Sequence, residues 1–173
     1  QESTLKSNFF QIPIEDYEED IERESSKEKK KEILALFTTY NKLRSEDEFN
    51  EIKDDLHCAC RASDVELIKI LLSETMENSR EGLTFKIDST NETASLFKVN
   101  ENIEELIIPK TVEHDSAEYL VTSIYCTCRD VKTIKFSEDS SVQTFYKKAF
   151  SWTNIEEIHF PASLRELKEG WCF

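Results

Sequence analysis

The chain has 173 residues, enough to bury one ordinary core or two small ones. It carries 36 acidic against 22 basic residues, a formal charge of −14, which repels nucleic-acid phosphates and anionic lipid. Only two glycines occur, Gly82 and Gly170, so the glycine-rich loops that cradle nucleotide phosphates are excluded. Hydrophobic residues make up 38% and charged residues 34%, which predicts a soluble globular chain.

The chain opens at Gln1 rather than Met, and a start further upstream is expected. Ser7 to Ile14 is apolar only in patches, and Glu15-Asp16 stand where a signal peptide would place its small cleavage-site residues. The longest apolar run, Ile33 to Phe37, falls far short of the roughly 20 residues that span a bilayer. The expectation is cytoplasmic by default, with the cell surface open to a longer chain that carries a targeting signal.

Up to residue 81 the pattern is helical. Pro13 suits a helix start, and Ile14, Tyr17 and Ile21 follow at spacings of three and four. Glu15 to Glu32 is charged, acidic first and lysine-rich from Lys27 to Lys31, an order that complements a helix macrodipole. The lysine run reads as a solvated helix face. Ile33, Leu36, Phe37, Tyr40 and Leu43 resume the apolar stripe, and Ser45 with Glu48 reads as a capping box for a further helix.

Asp54 to Ser73 predicts a helical hairpin, with small residues in its first arm and a break at Ser63-Asp64. Asp55-Leu56-His57-Cys58-Ala59-Cys60 followed by Asp64 to Leu72 resembles an ankyrin repeat. It departs from that pattern by lacking Thr-Pro before Leu56 and by placing Ser63 where a glycine is usual. The resemblance implies that His57 is structural and bonded to neighbouring backbone.

From residue 83 the alternation is that of strands. Thr84 to Asp88 and Thr93 to Lys98 flank the polar turn Ser89 to Glu92 and read as a hairpin. A repeat follows. Asn102-Ile103-Glu104-Glu105-Leu106-Ile107-Ile108-Pro109 recurs from Val131 to Ser137, and again as Asn154-Ile155-Glu156-Glu157-Ile158-His159-Phe160-Pro161. A second strand recurs at Val121 to Ile124, Val142 to Phe145 and Leu164 to Leu167. Two interleaved strands at a period in the twenties predict a solenoid.

Pro161-Ala162-Ser163-Leu164-Arg165-Glu166-Leu167 and Lys148-Ala149-Phe150 resemble the BspA-type, treponemal-type leucine-rich repeats. The first unit departs, because Thr111 to Leu120 is longer than a standard turn and Cys126-Thr127-Cys128 replaces Ala-Phe. With the helical leader, the whole resembles the BspA-like and ankyrin-containing families of protists such as trichomonads. The expected fold is therefore α+β: residues 1–81 form a helical leader with an ankyrin-like hairpin at about 54–73, and residues 83–173 a leucine-rich-repeat β-solenoid. The chain ends on Gly170-Trp171-Cys172-Phe173 without a polar cap, so further units are expected beyond Phe173.

Catalytic signatures are missing. His57, His114 and His159 belong to no H-E-x-x-H or deaminase pattern, and no G-x-S-x-G is present. Glu104-Glu105 and Glu156-Glu157 recur with the repeat, which reads as a solvated ridge rather than an acid–base pair. Cys58, Cys60, Cys126 and Cys128 form C-x-C pairs without zinc-site spacing, and with Cys172 are expected to be free thiols, the four paired ones mostly buried. Trp152 and Trp171 read as wedges in the core. No catalytic, cofactor or metal residue is assigned.

Function at this stage is a non-enzymatic protein–protein interaction. The BspA resemblance implies adhesion as a surface antigen, the alternative is an intracellular ankyrin and leucine-rich adaptor, and third stands an enzyme with a downstream catalytic domain. The partner is an unidentified protein, not nucleic acid. Changing Glu104, Glu105, Glu156 and Glu157 together to Gln is expected to alter stability by no more than about 0.5 kcal/mol per site in urea unfolding. A loss of several kcal/mol would show them buried or tightly paired.

Overall fold

A computed structural model describes residues 11–23, 26–40, 45–78, 81–125, 129–146, 149–150 and 153–172. The chain divides after Glu74 into two units.

In the N-terminal unit, Pro13 leads a single 3-10 turn, Ile14–Tyr17, that runs into α1 (Glu18–Glu22). Helices α2 (Lys27–Tyr40), α3 (Glu46–Arg61) and α4 (Val65–Leu72) follow. Each buries residues at helical spacing: Ile33 and Phe37 on α2, Ile52, Leu56, Ala59 and Cys60 on α3, Ile68, Leu71 and Leu72 on α4. The Ser45 hydroxyl accepts from the Glu48 N–H at 3.2 Å and opens α3. At the other end, Ser63 N–H donates to Cys60 C=O and Asp64 N–H to Ala59 C=O, the paired bonds of a Schellman stop. Ser63 adopts φ +51°, and the Asp64 carboxylate then caps α4 by accepting from Leu67 N–H at 3.2 Å.

The ankyrin expectation fails on this geometry. Because Ser45 caps α3, the helix starts ten residues before Leu56 and reaches 16 residues, against eight for α4. Helix α4 packs on α2 as well as on α3, and α1 packs on α3. The macrodipole reading fails as well. Arg23 follows the end of α1, so Lys27 and Lys29 to Lys31 fall at the start of α2, the end that disfavours positive charge. They are tolerated near solvent, Lys30 pairing with Glu22 at 2.8 Å.

Among its described residues the C-terminal unit holds ten strands: β1 (Glu74–Asn78, its first residue across the boundary), β2 (Leu83–Asp88), β3 (Thr93–Val99), β4 (Glu105–Ile108), β5 (Thr111–His114), β6 (Ala117–Ile124), β7 (Thr133–Phe136), β8 (Thr144–Phe145), β9 (Glu157–Ile158) and β10 (Glu166–Leu167). The larger sheet runs β1-β2-β3-β6-β8-β10, with β5 added against β6. Pairs β2–β3 and β5–β6 are antiparallel, whereas β3–β6, β6–β8 and β8–β10 are parallel. The smaller sheet, β4-β7-β9, is parallel throughout. Leu96, Ile124 and Phe145 form one buried row, and Leu106 and Ile134 another, within one apolar core.

This arrangement overturns the expected fold class. The described residues are mixed α/β, with four α-helices and a sheet of both parallel and antiparallel strands, not an ankyrin segment followed by a regular leucine-rich solenoid. Thr111 to Leu120, read as a long turn, is the hairpin β5–β6. Asp115 (φ +49°) and Ser116 (φ +64°) form its two-residue reversal.

Gly82 enters β2 at φ +67°, and a Cβ there would sit 3.0 Å from Ile103 Cδ1 and 3.2 Å from Asn100 Cβ. Gly82→Ala should therefore cost about 1–2 kcal/mol in urea unfolding, from the left-handed backbone alone. An unchanged midpoint would contradict this backbone geometry.

Candidate functional site

Alternation along the smaller sheet separates two chemistries. Leu106, Ile108 and Ile134 point into the core, while Glu105, Ile107, Lys135 and Glu157 face solvent. The register puts Glu105, Thr133 and Glu157 in one row and Ile107 beside Lys135 in the next. Carried one residue further, it puts His159 beside Lys135. Lys135 Nζ donates to Glu105 Oε1 at 2.7 Å, and His159 Nε2 lies 2.6 Å from Glu157 Oε1. Lys132 and Glu104 pair at 3.2 Å on the flank. The hydrogen bond and charge of Glu105 hold the Lys135 ammonium above its ordinary range, with a smaller push from Glu157. Exposed pairs of this kind add little to stability, so they order the face more than they stabilise it. Among these charges Ile107 is 59% exposed.

A second cluster lies within the helical unit. The Asp20 carboxylate, 6% exposed, accepts from Arg61 Nε and from His57 Nδ1, both at 2.8 Å. His57 and Arg61 are four apart on α3, hence on one face of it. The Tyr17 ring stacks on the His57 ring with centroids 4.2 Å apart. Burial pushes the Asp20 carboxyl up, but the bonds from His57 and Arg61 and their charges outweigh it and hold it below its ordinary value. Burial, and then Asp20, push the Cys60 thiol up to about 12. Burial likewise raises the Tyr17 phenol, whose hydroxyl has no hydrogen-bond partner among the described residues. A thiol that high is not a nucleophile at neutral pH, and a carboxylate with both oxygens engaged is a poor base. The cluster is a clamp between α1 and α3.

His57 therefore bonds a distant carboxylate rather than the neighbouring backbone expected of an ankyrin repeat. His114 ends β5, and His159 joins the exposed face. Glu104, Glu105, Glu156 and Glu157 are all exposed, as their repetition implied. Cys58, expected to be buried, is exposed, whereas Cys60 is buried and Cys172 intermediate. Two residues along an α-helix turn about 200°, so Cys58 and Cys60 cannot share a face. Cys126, Cys128 and Trp152 lie outside the described residues. Trp171 is a wedge as expected, its ring 5.6 Å from Phe145 and 5.9 Å from Phe160. An open depression of about 520 Å³ between Gln11–Glu15 and Phe37–Thr38 offers, among the described residues, one carboxylate, Glu15, with no second titratable group beside it.

Asp20 was missed by motif, though its place three residues after Tyr17 and before Ile21 puts it on the apolar side of the leader. Lys86 was missed too. Although it is buried, its ammonium donates to Thr75 Oγ1 at 2.7 Å and lies 5.0 Å from the Phe97 ring centroid.

No protein-family model matches the chain, and no curated protein is significantly similar to it. Among solved structures, a leucine-rich cell surface protein from Faecalibacterium prausnitzii is similar, at 18% identity and a TM-score of 0.38. The match covers 54% of this chain and 32% of that one, a likeness too slight to carry fold or function across. No described helix is long and apolar enough to cross a membrane.

A carboxyl held below its ordinary value of 3.8 stabilises the fold at every pH above that value, and the contribution is lost as pH falls through the lowered one. Asp20→Asn should cost about 2 kcal/mol at pH 7, the scale of a hydrogen bond to a charged group. The gap from wild type should close as the pH drops below about 4. Unfolding curves between pH 7 and pH 2 measure it. A pH-independent gap would remove the ionised carboxylate from the explanation.

Proposed function

We propose that this chain is a non-enzymatic, adhesion-type protein-binding module whose partner docks on the outward face of β4-β7-β9. The carrying observation is Ile107, 59% exposed on a strand whose neighbouring residues Leu106 and Ile108 are buried. Lys135, Glu105, Glu157 and His159 frame it with charges already paired and positioned. An apolar centre with a polar rim is the usual anatomy of an interface, and pre-ordered side chains reduce the entropy lost on docking. The BspA-type resemblance of Asn154 to Leu167 supports adhesion at a cell surface. The intracellular adaptor reading rested in part on the ankyrin-like hairpin and loses that part of its support.

The test compares quantitative affinity capture by the wild type, Ile107→Asp, Lys135→Glu and the off-face control Glu101→Lys. A genuine partner is retained by the control and reduced about tenfold by either face variant, with thermal midpoints unchanged. Identical capture by all four would overturn the assignment of this face.

A further inference from the structure

The outer edge of β4 repeats an edge that the same sheet fills elsewhere. Strands β4 and β9 lie in matching segments, Asn102 to Pro109 and Asn154 to Pro161, which share Asn-Ile-Glu-Glu and the closing proline. Both run parallel to β7 in one phase: Glu105 and Glu157 stand opposite Thr133, and Leu106 and Ile158 opposite Ile134. Because β7 lies between them, β9 gives it the edge that β4 turns outward. On that edge the N–H groups of Glu157 and His159 donate to Lys132 and Ile134 C=O, both at 3.1 Å. Their counterparts on β4 are Glu105 and Ile107. The other side of β4 is taken, since Glu104 C=O accepts from Thr133 N–H at 3.1 Å and Ile108 C=O from Ser137 N–H at 3.0 Å. Backbone groups alternate sides along a strand, so the N–H and C=O of Glu105 and Ile107 point away from β7. Among the described residues β4 pairs with β7 alone.

The strand that fills this edge on β9 defines what suits it on β4. The β7 segment brings buried Val131 and Ile134 and exposed Lys132 and Lys135. Lys135 falls in the row of His159, and its ammonium feels the charge of Glu157 while Glu157 keeps its own contact with His159. A lysine arriving beside β4 would stand in the same relation to Glu105, which keeps Lys135 on its other side. Its methylene stem would lie along Ile107, which holds the place of His159 and is 59% exposed. An open strand edge templates the addition of a further strand, and these side-chain positions select a basic one.

We infer that the outer edge of β4 takes an extended segment of the partner protein, parallel to β4, in which apolar and lysine residues follow one another as in β7. This mode rests on the partner-binding reading of the same face and specifies how the partner is held. Backbone bonds to Glu105 and Ile107 fix its register, and the side chains around Ile107 then choose its sequence.

The probe is a peptide copying Val131 to Ser137, acetylated and amidated, added to the 173-residue chain. At about 1 mM peptide the amides of Glu105 and Ile107 should exchange about threefold more slowly, read by NMR. N-methylation at the peptide's Ile134 position removes a donor aimed at β4 and should abolish the slowing. N-methylation at its Lys135 position, whose N–H points away, should leave it. Unchanged exchange at Glu105 and Ile107, or slowing that survives methylation at the Ile134 position, would overturn strand addition. In partner capture, Glu105→Pro should retain about tenfold less than Glu105→Ala, which loses the same side chain but keeps the outward N–H. Capture that needs Ile107 yet treats these two variants alike would leave the face assigned and refute strand addition. Capture indifferent to Ile107→Asp as well would remove the face itself. The peptide measurement uses the wild-type chain, so it decides even if the proline variant fails to fold.

Discussion

The two-residue period of a β-strand is the constraint on which the C-terminal unit depends. Once Leu106, Ile134 and Ile158 are drawn into one inward row, Glu105, Lys135 and Glu157 have no choice but to face water. A slip of one residue would put Ile107 in the core and Leu106 and Ile108 outside it, exchanging two buried residues for one. The hydrophobic effect thus sets the register, and the exposed face is its necessary reverse. The larger sheet is buried more evenly: Leu96, Ile124 and Phe145 form one row, and on the opposite side Ser95 and Ser123, also buried, are hydrogen-bonded at 2.6 Å.

In the helical unit a polar interaction supplies what apolar packing leaves loose. Helix α1 is five residues long, too short to fix its own orientation by burial. Asp20 sets it by reaching two donors one turn apart on α3, a geometry that few approach angles satisfy. A buried carboxylate is costly unless paired, so the same bonds that orient the helix also make the burial tolerable. Tyr17, stacked on His57 and 5.5 Å from Phe37, links this polar contact to the apolar one beneath it.

Much of this was legible in the residues, and the failures have physical causes. The ladder offsets of 28 and 24 along β4-β7-β9, and of 21 and 22 along β6-β8-β10, match the repeat spacings read from the chain. The hairpin around Ser89 to Glu92 and the caps at Ser45 and Asp64 were likewise readable. The antiparallel return of β5 against β6 was not, because alternating apolar residues suit parallel and antiparallel neighbours equally. The β5–β6 reversal was hidden for lack of glycine: Asp115 and Ser116 adopt left-handed backbone that Asn-Gly would have advertised. The strand Glu74–Asn78 was hidden inside a stretch read as helical, where a single Met76 supplies its apolar contact with the core. The Asp20 clamp joins residues 37 and 41 positions apart, a pairing that no local pattern encodes.

The electrostatics of the two candidate regions differ in kind. Catalysis needs a group whose protonation state can change near neutral pH, or a nucleophile left free to react. Around Asp20 the opposite holds: the carboxyl is pulled below its ordinary range while Cys60 and Tyr17 are pushed above theirs, so all three keep one state across neutral pH. On the β4-β7-β9 face the charges are paired and partly solvated, hence cheap to re-pair with another protein's groups. Such charges select among partners and speed their encounter more than they add affinity, and the affinity must come from desolvating an apolar anchor. In the proposed binding mode Ile107, exposed among them, is that anchor. A chain with a formal charge of −14 draws positively charged surfaces toward it at long range, and the Glu105–Lys135 and Glu157–His159 pairs then require the arriving charges to match in position. Long-range attraction without that local match gives encounter but not residence, so in the proposed binding mode specificity on this face follows from strand register.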